Sequence, residues 1–265
     1  TTEKATEKGL PFSAALALHC FVNEYVFVES DNEIAAVEHT QQRIAKLVNE
    51  GRNVPPQIVA ALGAYRPLHS FSWAQKLCER TWPGEIKEVI KRQIFEPLEE
   101  ATLRDQIHHL TKLQNTVSQA VREQYEENPY PRWIKTGLGV KGMTVGDVLR
   151  SSPLGLDLGD YTSPESPEFL VAGCGTGQHA LVTASRFSNA RVLAVDLSLN
   201  SLSYALRKTR ELDFSNIEYA QADIMEMGAL ERRFDLIECV GVLHHLGEPL
   251  AGLGILVKLL RPGGL

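Results

Sequence analysis

Three glycines at alternate positions, Gly173, Gly175 and Gly177, follow the apolar run Glu168-Phe-Leu-Val-Ala, with Cys174 and Thr176 between them. Without a Cβ, glycine lets a backbone turn sharply and come close to a bound ligand. Two carboxylates close the next two apolar runs: Asp196 after Arg191-Val-Leu-Ala-Val, and Asp223 after Ile217-Glu-Tyr-Ala-Gln-Ala. A carboxylate in such a place accepts from hydroxyls or amines, and each charge-assisted bond contributes about 1.5–3 kcal/mol. A fourth run, Phe234–Val240, leads through Gly241 to His244 and His245. An imidazole with an ordinary pKa of about 6.5 suits proton removal at neutral pH. Plainer readings stand beside each of these. The glycines also fit a simple strand–helix turn, Asp196 or Ser198 fits a helix cap, Asp223 fits a solvated loop, and the histidines fit a packing role.

These residues need elements to hold them at one edge. From Glu168 onward apolar strands alternate with helical stretches, which predicts an α/β unit with a parallel sheet and right-handed crossovers. Its first helix is expected over 179–187 and its second over 200–211. From Phe12 to about Glu127 the sequence reads as helical throughout. Asp31 opens one helix that Gly51 stops; others are expected over 57–65, 70–80, 85–95, 98–113 and 117–127, with Trp82-Pro-Gly and Pro97 as breaks. Ile107, Leu110 and Leu113 form an apolar stripe on the helix expected over 98–113. Residues 128–167 are dense in Pro and Gly, which marks a connecting region, with one helical turn at Val145–Arg150. The expected organisation is therefore an all-helical domain over 1–127, a linker and candidate cofactor lid over 128–167, and an α/β ligand-binding domain over 168–265.

The 27 basic against 33 acidic residues give a net charge of −6, which argues against a dedicated nucleic-acid or anionic-membrane binder. Four cysteines without CxxC spacing point to a reduced, cytoplasmic protein with neither structural disulfides nor a metal site. The apolar stretch Leu10–Val28 is interrupted by His19, Asn23 and Glu24, so a buried helix is expected rather than a membrane span. The chain begins without Met and stops at Arg261-Pro-Gly-Gly-Leu265, where a further strand is expected, so it reads as a fragment.

Taken together, the glycine loop, Asp196, Asp223 and the stretch Phe234–His245 resemble the class I S-adenosylmethionine (SAM)-dependent methyltransferases, over about residues 124–265. A nicotinamide-dependent oxidoreductase, the first rival, would carry glycine where this loop has Gln178. The second rival is a non-catalytic interaction module, with the helical domain binding a protein partner. The resemblance implies a Rossmann-like sheet with four of the family's seven strands, preceded by the helical domain. It implies that Gly173, Cys174, Gly175, Thr176 and Gly177 run past the methionine part of SAM. Asp196 would take the ribose hydroxyls, with Leu197 over one face of adenine. Asp223 would take the adenine amino group, with Ile224 against the ring. Val240 and Gly241 would lie nearest the transferable methyl, with His244 and His245 on the lip. The acceptor would be an unidentified small molecule or protein.

The string Gln124-Tyr-Glu-Glu-Asn-Pro-Tyr-Pro-Arg-Trp133 resembles a segment of bacterial proteins that join helical or tetratricopeptide regions to such a domain. Segments just upstream of the glycine loop often close over SAM in that family. Tyr125, Asn128, Tyr130 and Arg132 are thereby candidates to touch the methionine end or the acceptor, with Arg132 pairing the cofactor carboxylate. A rigid corner between domains is the competing reading.

Overall fold

The computed structural model describes residues 2–113, 116–127, 129–138, 142–153, 155 and 157–265. They divide into two compact units, Thr1–Glu100 and Ala101–Leu265. Among the described residues no helix is long and apolar enough to cross a membrane.

The first unit is all helical. Helices α1 (Thr2–Val22), α2 (Asp31–Asn49), α3 (Pro56–Gly63), α4 (Ala74–Cys78) and α5 (Gly84–Ile90) enclose a core that includes Ala17, Ile44, Val59, Leu77 and Ile86. Ser30, one residue ahead of the expected start, caps α2 in a reciprocal box with Glu33, and Gly51 follows its end at φ 65°. Pro97 does not break the chain as the sequence predicts. The helix runs on from α5 through a π turn, Lys91–Phe95, into α6 (Glu96–Arg104). Pro97 cannot donate to the carbonyl four residues back, and the wider turn, in which the Glu96 N–H reaches Lys91 O, accommodates the missing bond. Within that turn the buried Gln93 donates to Ala17 O at 2.9 Å and Gly63 O at 2.8 Å, tying α1 to α3.

The second unit holds a five-stranded sheet in which every pairing is parallel. Its strands are β1 (His108–His109), β2 (Glu168–Ala172), β3 (Arg191–Asp196), β4 (Ile217–Gln221) and β5 (Leu236–Glu238), in the order β1-β4-β3-β2-β5. The helices α7 (Thr116–Glu127), α8 (Val145–Arg150), α9 (Gln178–Arg186), α10 (Leu199–Glu211) and α11 (Pro249–Lys258) complete it. This is the Rossmann-like arrangement, and two apolar clusters, one around Phe169 and Ala194 and one around Leu170 and Phe234, flank the sheet.

Two expectations are corrected here. The helix expected to run to Leu113 ends at Arg104, and His108–His109 become an edge strand beside Ala220 and Gln221. The open edge of β4 outweighs the helical periodicity of Ile107, Leu110 and Leu113: Ile107 is buried, Leu110 N–H donates to Gln221 O at 2.9 Å, and His109 Nδ1 meets Gln221 Oε1 at 2.5 Å. Residues 101–127 consequently belong with the α/β unit, and the division falls at Glu100 rather than at Glu127.

Candidate functional site

β2 lies between β3 and β5 with all five residues buried, and the four apolar ones, Phe169–Ala172, suit a central parallel strand. It delivers the glycine loop to the end of the sheet, where Gly173 and Cys174 both donate to Val195 O, at 2.8 and 2.9 Å. The three glycines serve different ends. A Cβ on Gly173 would stand 2.2 Å from Val242 Cγ2, so this glycine lets the loops after β2 and β5 touch. Gly177, at φ 81°, meets Ala205 Cβ and the Tyr219 hydroxyl at 2.5 and 2.9 Å in the same sense, packing the start of α9 against α10 and β4. Gly175, at φ 52°, has open space above it.

That space belongs to a cavity of about 400 Å³. Gly173, Cys174, Gly175 and Thr176 line it, whereas Gly177 does not. Asp196, at the end of β3, lines it too. Its Oδ2 accepts from Gly175 N–H at 2.8 Å and its Oδ1 from Ser198 N–H at 3.0 Å, so the carboxylate braces the loop. Burial raises the pKa of Asp196; the N–H groups of Ser198, Gly175 and Leu197 oppose the rise, and the charge of Glu126 adds to it. The helix cap falls to Ser198, whose Oγ accepts from Ser201 N–H at 3.0 Å. Asp196 is thereby left with lone pairs for a ligand.

At the end of β4, Asp223 is buried and lines the same cavity, with Leu197 and Ile224 near it on the wall. Its Oδ1 accepts from Met225 N–H at 2.9 Å, capping a short 3-10 turn, and Thr111 Oγ1 receives the Asp223 N–H at 2.8 Å. Its Oδ2 is buried with no hydrogen-bond partner among the described residues. After β5, Val240, Gly241 and Val242 form the opposite wall, and Val240 is 66% exposed at the rim. His245 lines the cavity and His244 does not; their rings lie 4.0 Å apart, and His245 meets Tyr125 edge-on at 6.3 Å.

The string before the glycine loop is bonded directly to it. Trp133 Nε1 donates to Thr176 O at 3.0 Å, and Thr176 Oγ1 donates to Pro131 O at 2.7 Å. Trp133 is buried against Leu181 and Tyr204, with Lys208 Nζ 4.9 Å from its ring. Tyr125 and Tyr130 line the cavity, but Arg132 does not; its guanidinium lies over the Tyr204 ring at 5.8 Å instead. Asn128 lies outside the described residues.

Several lining groups have no counterpart in the sequence reading. His179, in the first turn of α9, lies 3.1 Å from Glu238 of β5, and Thr183 Oγ1 donates to the same carboxylate at 2.5 Å. The bond to Glu238 raises the His179 pKa against the effect of burial. Burial pushes Glu238 up, but the bonds from His179 and Thr183 and the charges of His179 and Arg186 leave it below the ordinary carboxylate value. Ser118 and Ser201 also line the cavity. Position alone offered a signal for His179, which follows the glycine loop by two residues.

A methyltransferase-domain family model matches residues 169–264. An uncharacterised protein of Synechococcus sp. is 37% identical over 100 residues, which cover 37% of this chain and 24% of that protein. A malonyl-[acyl-carrier protein] O-methyltransferase of Acetivibrio thermocellus is 34% identical over 82 residues, covering 31% of this chain and 28% of that protein. A SAM-dependent methyltransferase from Clostridium acetobutylicum aligns in structure at 28% identity and a TM-score of 0.33, over 37% of this chain and 39% of its own. The chain thus spans about a quarter of the length of these two curated relatives. By its matched sequence, the segment 169–264 belongs to a methyltransferase-domain family.

Proposed function

We propose that the α/β unit binds SAM in this cavity and transfers its methyl group to a small-molecule or protein acceptor. The observation that carries the reading is Asp223 Oδ2, a buried carboxylate oxygen without a partner among the described residues, in a cavity whose other carboxylate is Asp196. Burying such an oxygen unpaired costs several kcal/mol in the limit, and a ligand amino group offsets that cost. Asp223 thus receives the adenine amino group, with Ile224 and Leu197 against the ring, and Asp196 receives the ribose hydroxyls.

When bound, the sulfonium of SAM supplies an electrophilic methyl group. The chain holds the reactants in line: the backbone at Gly173–Thr176 carries one side, and Val240 and Gly241 the other. Such positioning contributes up to ~7–11 kcal/mol of barrier reduction. Tyr125 and Tyr130 keep water from the cavity and offer ring faces to a cation, at roughly 0.5–2 kcal/mol. For an acceptor that must lose a proton, His245 is the base of choice between the two neighbouring histidines, because it lines the cavity.

Calorimetry with S-adenosylhomocysteine (SAH), SAM and NAD in parallel tests the reading. Binding of SAH and SAM in the micromolar range without response to NAD is expected. NAD binding with silence toward both sulfur ligands would overturn it.

A further inference from the structure

Three serines lie in or beside the first turns of α10, and two have partners. Ser198 Oγ donates to Tyr125 O at 3.0 Å, and Ser203 Oγ donates to Leu199 O at 2.7 Å. Ser201 is 1% exposed, and its Oγ has no hydrogen-bond partner among the described residues. A helical serine usually returns its hydroxyl to the carbonyl four residues back. For Ser201 that carbonyl is Leu197 O, which already accepts from Gln221 Nε2 at 2.7 Å. Leaving a hydroxyl buried and unpaired is unfavourable, and alanine at this place would avoid the cost. Ser201 nevertheless lines the cavity, together with Asp196, Leu197 and Asp223.

We propose that Ser201 is a ligand-binding residue that donates its Oγ–H to a ring nitrogen of the bound purine. This rests on the reading of the cavity as a SAM site and adds a specificity contact to it. Complementarity selects the group. The two carboxylates, Asp196 and Asp223, are acceptors and are matched by donors, the sugar hydroxyls and the exocyclic amine. The ring nitrogens of adenine are acceptors and need a donor. Ser201 supplies a side-chain hydroxyl from the first turn of α10, five residues beyond Asp196.

The test is Ser201→Ala, with SAH and its 1-deaza, 3-deaza and 7-deaza analogues as calorimetric ligands and thermal melting as the second measurement. The variant should bind SAH about 3- to 30-fold more weakly, the range for losing one hydrogen bond and stranding its partner. Its Tm without ligand should be equal to or above that of the wild type, since the hydroxyl has no partner among the described residues. One deaza analogue should lose the same factor on the wild type and no further affinity on the variant. Unchanged SAH affinity in the variant would overturn the proposal. So would a loss of the same size in both proteins for every analogue, which would separate the hydroxyl from the ring. Failure of the wild type to bind SAH at all would instead refute the SAM reading, and this contact with it.

Discussion

Glu126 and Asn200 are joined from both sides. Glu126 Oε2 accepts from the Asn200 N–H at 3.0 Å, and Asn200 Nδ2 donates to Glu126 O at 2.6 Å, while Oε1 accepts from Leu199 N–H at 3.0 Å. The end of α7 thereby supplies a carboxylate to the positive end of α10, a helix more than seventy residues away. Glu126→Gln replaces one acceptor oxygen with a donor that faces an N–H, and removes the charge. A loss of about 1–2 kcal/mol of stability is expected, with faster hydrogen exchange at Leu199 and Asn200. Unaltered exchange at those two amides would contradict the capping role.

Alanine at two of the glycines should separate packing from binding. Gly177→Ala puts a Cβ 2.5 Å from that of Ala205 at a positive φ, and roughly 2–4 kcal/mol of stability should be lost. Gly175→Ala has the strained φ but open space, so its Tm should fall less. Its methyl enters the cavity, and SAH affinity should drop at least tenfold. Equal melting points for the two variants would show that the Gly177 clash is relieved by a backbone shift.

Asp196→Ala removes the acceptors that the Gly175 and Ser198 N–H groups reach at 2.8 and 3.0 Å. SAH affinity should fall at least tenfold, about 1.4 kcal/mol. Stability should fall by roughly 1–3 kcal/mol while α10 stays formed, because Ser198 retains the cap. Helix content by circular dichroism and calorimetric affinity check the two parts separately. Full SAH affinity in the variant would reduce Asp196 to a loop brace.

The His179–Glu238 pair gives a pH window. His179 is raised above its unfolded value of 6.5, so its contribution is complete below that pH and fades as pH rises through the folded pKa. Glu238 is lowered from 4.5, so its contribution is complete above that pH and fades as pH falls through its folded value. The pair is therefore best formed between about pH 4.5 and 6.5. In Glu238→Gln the His179 titration, followed by NMR, should move toward lower pH. A titration that stays in place would show that Glu238 does not hold the imidazolium.

Whatever depended on a strand end was legible in the sequence. β2, β3 and β4 are short apolar runs, and the residues that terminate them, Gly173, Asp196 and Asp223, stand at one edge of a parallel sheet for that reason alone. The capping serine of α10 and the helical turn at Val145–Arg150 follow from local preference in the same way. What escaped depends on partners distant in the chain. His108–His109 became a strand because β4 offered an edge, and Pro97 stayed within a helix because a π turn absorbed it. Arg132 turned to Tyr204, a ring that no local pattern ties to it.

The edge strand β1 has a consequence for how long the site stays ordered. It closes a loop of 112 residues to reach β4, whereas β2 and β3 pair across a much shorter stretch, a difference of roughly 1–1.5 kcal/mol in closure entropy. Two residues of pairing return little for it, so this edge should fray before the rest of the sheet breathes. Thr111, just past that strand, receives the Asp223 N–H. Each opening of the edge should therefore loosen the frame around Asp223, and the order of this end of the cavity becomes tied to a two-residue strand.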